Sequence, residues 1–279
     1  MPSTELPSVG FIGLDAEGGP LARALADNGY PLHLWAARPE PQGELDDHPH
    51  TGHSSVDELA AASDVVALFL NDADNIKVAV EGGLLAAMRR GSVLVNHANG
   101  LPAQARRLAD LAAAYGVGFL DAPVSGGPVA AQTRQLTTIV GGNADLVKRL
   151  SPLFSTFSTD IVRVGPVGSG EFGKLFNNAL MAMNHKNVLD VLHLAVGLDL
   201  PIASLLEVLR SGSAGSVALQ AIGPAVTAEN VNILTPLELE DMRLFAEAVS
   251  AVGDNATSVV ERAVAGARQL PELTALVIG

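Results

Sequence analysis

The sequence predicts an α/β chain: an N-terminal doubly wound sheet over residues 1–164, then an all-helical C-terminal part over 165–279, joined by one long helix. Three observations predict it. A strand, a glycine turn, a helix and a second strand fall within about thirty residues near the start, which is a βαβ unit and implies a parallel sheet. Strand and helix patterns keep alternating to Val164. Beyond Val164 the strand-like alternation stops, and an apolar pattern of helical spacing runs on to Gly197.

In order, residues 9–12 read as a buried strand, followed by a glycine turn and a helix over 20–28. Pro20 suits an early helical position and Gly29 the left-handed position after the end. Residues 32–35 form the second strand. Helix 56–62, strand 65–70, helix 83–88, strand 92–96, helix 102–115 and strand 118–121 follow. Strand 136–140, helix 143–154 and strand 160–164 close the sheet. The long helix spans about 170–196, roughly 40 Å at 1.5 Å per residue, and carries the chain between the two parts. Residues 201–209 read as a short helix capped by Asp199. Thr235-Pro236 opens a helix running to about Val252, in the expected order of cap and proline. Residues 257–269 are helical, and 272–277 form a last turn.

The totals narrow the function. The chain has 279 residues, 48% hydrophobic and 17% charged, enough to bury a large core and outside the disordered class. A net charge of −13 argues against a nucleic-acid backbone as partner. There is no cysteine, which excludes disulfides and thiolate metal sites and fits a reducing cytoplasm; no metal site is expected. The N-terminus has no basic region and a strand begins near Ser8, so no signal peptide is expected. Apolar runs such as 65–70 are flanked by acids (Asp64, Asp72), so no membrane span is expected.

Four stretches carry chemistry. In the turn 13–18, Gly13 and Gly18 hold the outer positions of a dinucleotide fingerprint, and Asp15 occupies the middle one. A carboxylate facing a phosphate at about 4 Å repels it by roughly 4 kcal/mol at an effective dielectric near 20. The other reading is a tight βα turn serving some other ligand. After the second strand come Trp35, Ala36, Ala37 and Arg38, with no acid before Glu40. Arg38 can pair with a ribose 2′-phosphate, which favours NADP over NAD; otherwise it is a surface arginine. Residues 121–128, Asp-Ala-Pro-Val-Ser-Gly-Gly-Pro, follow a strand and therefore lie at the sheet's carboxyl edge. Ser125, Gly126 and Gly127 offer a hydroxyl and backbone amides together, a receptor for a carboxylate, or simply a loop. Lys174 and Asn178 lie four residues apart near the start of the long helix, on one face. A lysine suits the other end of a helix better, and the glycines around it remove side chains and leave room for a ligand's approach. The alternative is a solvated lysine in the first turn of a core helix.

These stretches, in this order, resemble the β-hydroxyacid dehydrogenase family: 3-hydroxyisobutyrate dehydrogenase, tartronate semialdehyde reductase and their 6-phosphogluconate dehydrogenase relatives. Four blocks carry the resemblance over nearly the full length: 10–18, 121–127 with its sequel 136–142, 165–178 and 237–248. The Asp-Ala-Pro-Val-Ser-Gly-Gly string is intact, as is the Gly-x-x-Gly-x-Gly-x-x-x-Lys-x-x-x-Asn pattern. The resemblance implies a Rossmann-like dinucleotide-binding domain followed by a helical substrate and dimerisation domain. It implies Lys174 as the catalytic general acid/base, with Asn178 holding its geometry and bonding the substrate. Ser125, Gly126, Gly127 and Asn177 would bind the substrate; Gly13, Leu14, Asp15, Gly18, Arg38, Asn99 and Asp241 the cofactor, NADP or NAD. A homodimer and a small-molecule substrate are implied as well.

The chain departs from the family at several positions. Its usual Lys-Asp pair in the last block is Glu240-Asp241, which reverses a charge. Its Asp-x-Ser-Thr is Asn96-His97-Ala98-Asn99, and the proline of its Met-Leu-Pro is Asn71. Ala130 and Arg134 stand where glycines are common. His97 is a candidate polar group near the nicotinamide, against a core histidine. His185 and Lys186 read as solvated or dimer-facing. The imine-reducing branch replaces the lysine, so Lys174 argues against that branch. The first expectation is an NAD(P)-dependent oxidoreductase for a small β-hydroxy acid. Asp15 and Glu240 keep open a binding or regulatory protein with impaired redox chemistry, and the altered loops a reductase of an atypical carbonyl or imine.

Overall fold

The computed structural model describes residues 5–14, 16–35, 45, 47–70 and 72–279, with the backbone alone at 72 and 73. The chain divides into two compact units, Met1–Lys174 and Leu175–Gly279. The long helix α8, Ser169–Gly197, contributes residues to both.

The first unit is built on a nine-stranded sheet. Its strands are β1 (Val9–Ile12), β2 (Leu32–Trp35), β3 (Thr51–Gly52), β4 (Val65–Leu68), β5 (Val93–Asn96), β6 (Gly118–Asp121), β7 (Val124–Ser125), β8 (Leu136–Gly142) and β9 (Ser158–Gly165). Their order is β3-β2-β1-β4-β5-β6-β8-β7, with β9 beside β8. Strands β1 to β6 pair in parallel, so the chain reverses direction across the sheet between β1 and β4. Both faces are covered. Val9 and Phe11 of β1 join a core completed by α1 (Gly18–Asp27) and α7 (Ala144–Phe154). Ile12 faces the opposite core, under α2 (Val56–Ala62), α4 (Leu84–Ala87) and α5 (Pro102–Ala114). That is why these strands read as continuous apolar runs. The sheet departs from the parallel expectation in one place: β8 runs antiparallel to β6 and β7. An apolar run marks a strand but carries no direction. The two-residue β7, the six-residue α6 (Gly127–Gln132) and α3 (Asp72–Ile76) with the π-helical turn after it are too short to read from periodicity.

The second unit is helical. It adds α9 (Ile202–Ser211), α10 (Val217–Ala221), α11 (Val231–Ala248), α12 (Asp254–Arg268) and α13 (Leu270–Ile278) to the rest of α8. Leu189 and Leu192 of α8 pack with Leu206, Leu219, Leu270 and Leu273 in one core. Helix α12 crosses α8 at Gly266, where a Cβ would lie 1.8 Å from the Ala182 carbonyl oxygen, so only glycine fits. Two expected caps are corrected. Asp199 does not cap α9; it takes φ 52° in the turn that ends α8, and Pro201 precedes α9. Helix α11 starts at Val231, not at Thr235. The Asn230 side chain accepts from the Thr227 amide at 2.8 Å and closes the turn before the helix, while the Thr235 hydroxyl donates back to the Val231 carbonyl and Pro236 lies inside the helix. Among the described residues, no helix is long and apolar enough to cross a membrane.

Candidate active site

The carboxyl ends of β1, β4, β5 and β6 form the edge where ligands of such sheets bind. Gly13 follows β1 with φ 104°, and a Cβ there would lie 2.2 Å from the Phe69 carbonyl oxygen beyond β4. Both facts demand glycine. Leu14 packs half-buried on the first core. Helix α1 begins at Gly18, its first two glycines buried, and Glu17 before it supplies no side-chain cap. This strand–turn–helix geometry, with its two glycines, fits a dinucleotide pyrophosphate at a helix N-terminus. Asp15, Arg38 and Asn71 lie outside the described residues.

The segment after β5 splits in character. His97 is not an edge group. It is 2% exposed, its Nδ1 lies 2.8 Å from the Ala122 carbonyl oxygen, and its ring meets Phe154 and Phe157 edge-on. Burial pushes its pKa down to about 4, so it is a neutral core histidine that donates from Nδ1. Asn99, two residues on, is half-buried in the same loop. Ser125 is half-buried in β7; Gly126 and Gly127 follow with φ 139° and 71°, a backbone that side chains disfavour. Arg134 takes φ 59° after α6 and pairs with Asp27, filling a left-handed position where a glycine would be unstrained.

Two buried acids of this region are given no role in the sequence reading. Asp121, fully buried at the end of β6, accepts from the amides of Gly168 at 2.9 Å and Glu171 at 3.1 Å. It therefore caps α8 from the sheet. Burial raises its pKa above the usual carboxylate range, against the pull of those amides. Glu171, also fully buried, accepts from Asn96 Nδ2 at 3.2 Å and the Gly100 amide at 2.9 Å. The cue is available: Asp121 is the only acid in 118–128 and Glu171 the only acid in 161–189. The glycines around Lys174 serve the sheet. A Cβ on Gly170 would lie 2.6 Å from the Asp121 carbonyl oxygen, and one on Gly173 2.7 Å from Ile139 Cγ2.

Lys174 ends the first unit half-buried, and among the described residues it makes no ion pair. Asn178 lies one helical turn further along α8. In the second unit Asn178 is buried, donates to Asp241 Oδ2 at 2.8 Å, and accepts from Asn177 Nδ2 at 3.2 Å. Asn177, Asn178 and Asp241 are thus brought together. Glu240 points elsewhere: it is exposed and held by a fork from Arg243 at 2.7 to 3.0 Å, and Arg243 also reaches Glu247. The hydrogen bonds from the Arg243 guanidinium lower the Glu240 pKa and keep it ionised. His185 is corrected too. It is 2% exposed on α8, with Nδ1 3.5 Å from Glu238, neither solvated nor surface-facing in this chain. Lys186 is half-buried and paired with Asp190. Among the described residues no cluster of three or more His, Asp or Glu is placed to hold a metal ion.

Residues 8–165 match the NAD binding domain of 6-phosphogluconate dehydrogenase, and residues 168–270 the NAD-binding domain of NADP-dependent 3-hydroxyisobutyrate dehydrogenase. The chain is 30% identical over 215 residues to the 2-(hydroxymethyl)glutarate dehydrogenase of Eubacterium barkeri, spanning 76% of this chain and 71% of that one. It is 33% identical over 207 residues to human mitochondrial 3-hydroxyisobutyrate dehydrogenase, spanning 74% of this chain and 62% of that one. Among solved structures, Mycobacterium tuberculosis 3-hydroxyisobutyrate dehydrogenase with L-serine has the same fold, with a TM-score of 0.85 at 24% identity over 98% of both chains.

Proposed function

The chain belongs to the β-hydroxyacid dehydrogenase family, and on that premise we propose that it is an NAD(P)-dependent oxidoreductase interconverting a small β-hydroxy acid and its aldehyde or keto form. The observation that carries this reading is Lys174: half-buried, without an ion pair among the described residues, and one turn from an asparagine whose amide Asp241 orients. An amine at this place, with an amide one turn away to bond the substrate, is the kind of general acid/base the reaction calls for. Lys174 takes the proton of the substrate hydroxyl in oxidation and returns it to the carbonyl oxygen in reduction. Asn178 and Asn177 bond the substrate, and Ser125, Gly126 and Gly127 receive its carboxylate. Gly13, Leu14 and Gly18 hold the pyrophosphate, Asp15 touches the cofactor from the same turn, Arg38 holds the 2′-phosphate, and Asn99 and Asp241 complete the cofactor's contacts. When bound, the dinucleotide supplies hydride exchange at the substrate carbon. Residues 1–164 act as the dinucleotide domain and 165–279 as the substrate and dimerisation domain.

NADP is the preferred cofactor and the working form a homodimer; exposed Leu194 and Leu198, on and just past the end of α8, give the helical unit an apolar face. The test is direct. Purified protein is titrated with NADPH and NADH, then assayed with 3-hydroxyisobutyrate, L-serine and 2-(hydroxymethyl)glutarate. Binding of NADPH more tightly than NADH, turnover of one acid, and loss of turnover but not of nucleotide binding in Lys174→Met are the expected results. Failure to bind either nucleotide at millimolar concentration refutes the proposal. Light scattering reads the dimer.

A further inference from the structure

A single buried chain of hydrogen bonds links three loops of the carboxyl edge to the helix turn that carries Lys174. It begins after β4, where Asn75 Nδ2 donates to the Leu70 carbonyl at 3.0 Å and to Asn96 Oδ1 at 2.8 Å. At the end of β5, Asn96 Oδ1 also accepts from the Ala98 amide at 3.2 Å, and Asn96 Nδ2 donates to Glu171. Glu171 in turn takes the Gly100 amide on its other oxygen. Asn99 is therefore pinned on both sides, through Ala98 to Asn96 and through Gly100 to Glu171. Glu171 stands three residues before Lys174 on α8, and its own amide is held by Asp121.

We infer that Glu171 and Asn96 are positioning residues: together they fix the Asn99 loop against the first turn of α8, so that dinucleotide affinity and the placement of Lys174 are set by one shared contact. The inference rests on the dehydrogenase reading above. Polarity makes it specific. Both Glu171 oxygens face N–H donors, and Asn96 must present its amide nitrogen to Glu171 because its oxygen already accepts twice. Glu171→Gln sets an NH₂ against an N–H. Asn96→Asp sets carboxylate against carboxylate. The double variant, Asn96→Asp with Glu171→Gln, restores every contact with the polarity of the central pair reversed. The glutamine introduced on α8 donates its amide to the carboxylate introduced at the end of β5, and its oxygen accepts from Gly100.

The experiment measures NADPH dissociation constants by fluorescence, the pH profile of kcat, and amide exchange of residues 96–101 and 168–176, for the wild type, both single variants and the double variant. Each single variant is expected to weaken NADPH binding by about tenfold or more, the scale set by one frustrated buried donor or acceptor. Each also shifts the acid limb of kcat in the oxidation direction and speeds exchange in both segments. The double variant returns binding to within about threefold of wild type. Single variants that lower thermal stability but leave the folded protein's NADPH affinity and pH profile unchanged overturn the inference, as does a double variant no better than its parents. A wild type that binds no dinucleotide overturns the dehydrogenase reading itself, and this inference with it. Those failures are distinguishable, because in the first two the wild type binds.

Discussion

Gly170→Ala tests how closely the helix carrying Lys174 is seated on the sheet. The added Cβ would lie 2.6 Å from the Asp121 carbonyl oxygen and 2.8 Å from both the Gly141 nitrogen and the Ile139 carbonyl oxygen. All three are backbone atoms of β6 and β8, so no side-chain rotation relieves the clash. Against this stands the helix preference of alanine over glycine, about 1 kcal/mol. Overpacking of this kind costs about 1–3 kcal/mol and sometimes more. With three contacts below 3.0 Å the steric effect takes the upper part of that range, and the net loss is about 1–2 kcal/mol. Gly197→Ala is the control on the same helix: nothing lies within 4 Å of its added Cβ, so it should gain from a few tenths to about 1 kcal/mol. Urea unfolding followed by circular dichroism reads both, and turnover reads the displacement of Lys174. A Gly170→Ala midpoint at or above that of the wild type, matching Gly197→Ala, would refute the close seating of α8.

Gly266→Ala, with its Cβ 1.8 Å from the Ala182 carbonyl oxygen, should destabilise the helical unit by about 2 kcal/mol or more, seen as a lowered urea midpoint. His97 gives a pH signature: its folded pKa of about 4 lies below an unfolded value near 6.5, so its contribution is complete above pH 6.5 and is lost as pH falls toward 4, by about 3 kcal/mol in all. Unfolding midpoints between about pH 7 and pH 4.5 should fall less steeply in His97→Leu, although that variant starts lower because the Ala122 carbonyl loses its donor. Asn178→Asp sets two carboxylates where an amide donated at 2.8 Å, and should cost about 2–4 kcal/mol at pH 7. Acid or a second change, Asp241→Asn, should recover most of that loss in the same unfolding assay.

Much of the fold was legible because this sheet is covered on both faces. Val9, Phe11 and Ile12 are all buried, so the strand reads as an apolar run and the glycine at its end as a turn. The long helix reads to within a residue at each end because its apolar spacing resumes after the polar run 184–187 and holds to Gly197. Strand direction at β8 was hidden, since it depends on which neighbour the strand meets. The start of α11 was hidden for a different reason. Thr235-Pro236 carries a genuine helix-start signal, but Thr227 and Asn230 close a turn before it and the helix has already begun. A local signal decides only when no earlier nucleus competes with it.

At the site, residue type was legible and partnership was not. Glu240 looked like a reversed charge because a string shows signs without pairs. Yet Arg243 lies three residues on, a spacing at which helical side chains meet, so the pairing was present in the sequence. His185 and Lys186 read together as solvated or dimer-facing, but one residue along a helix is about 100° of rotation, and His185 turns inward to Glu238 while Lys186 reaches Asp190. The glycines before Lys174 are the sharpest case. Read as room for a ligand, they are room for the sheet: Gly170 and Gly173 let α8 sit on β8, and Asp121 then reaches its first amides. The position of Lys174 is therefore set by backbone contact with two strands. A substitution at Gly170, which offers no side chain to chemistry, should disturb the proton transfer proposed for Lys174 more than one at the exposed Phe176 further along the helix.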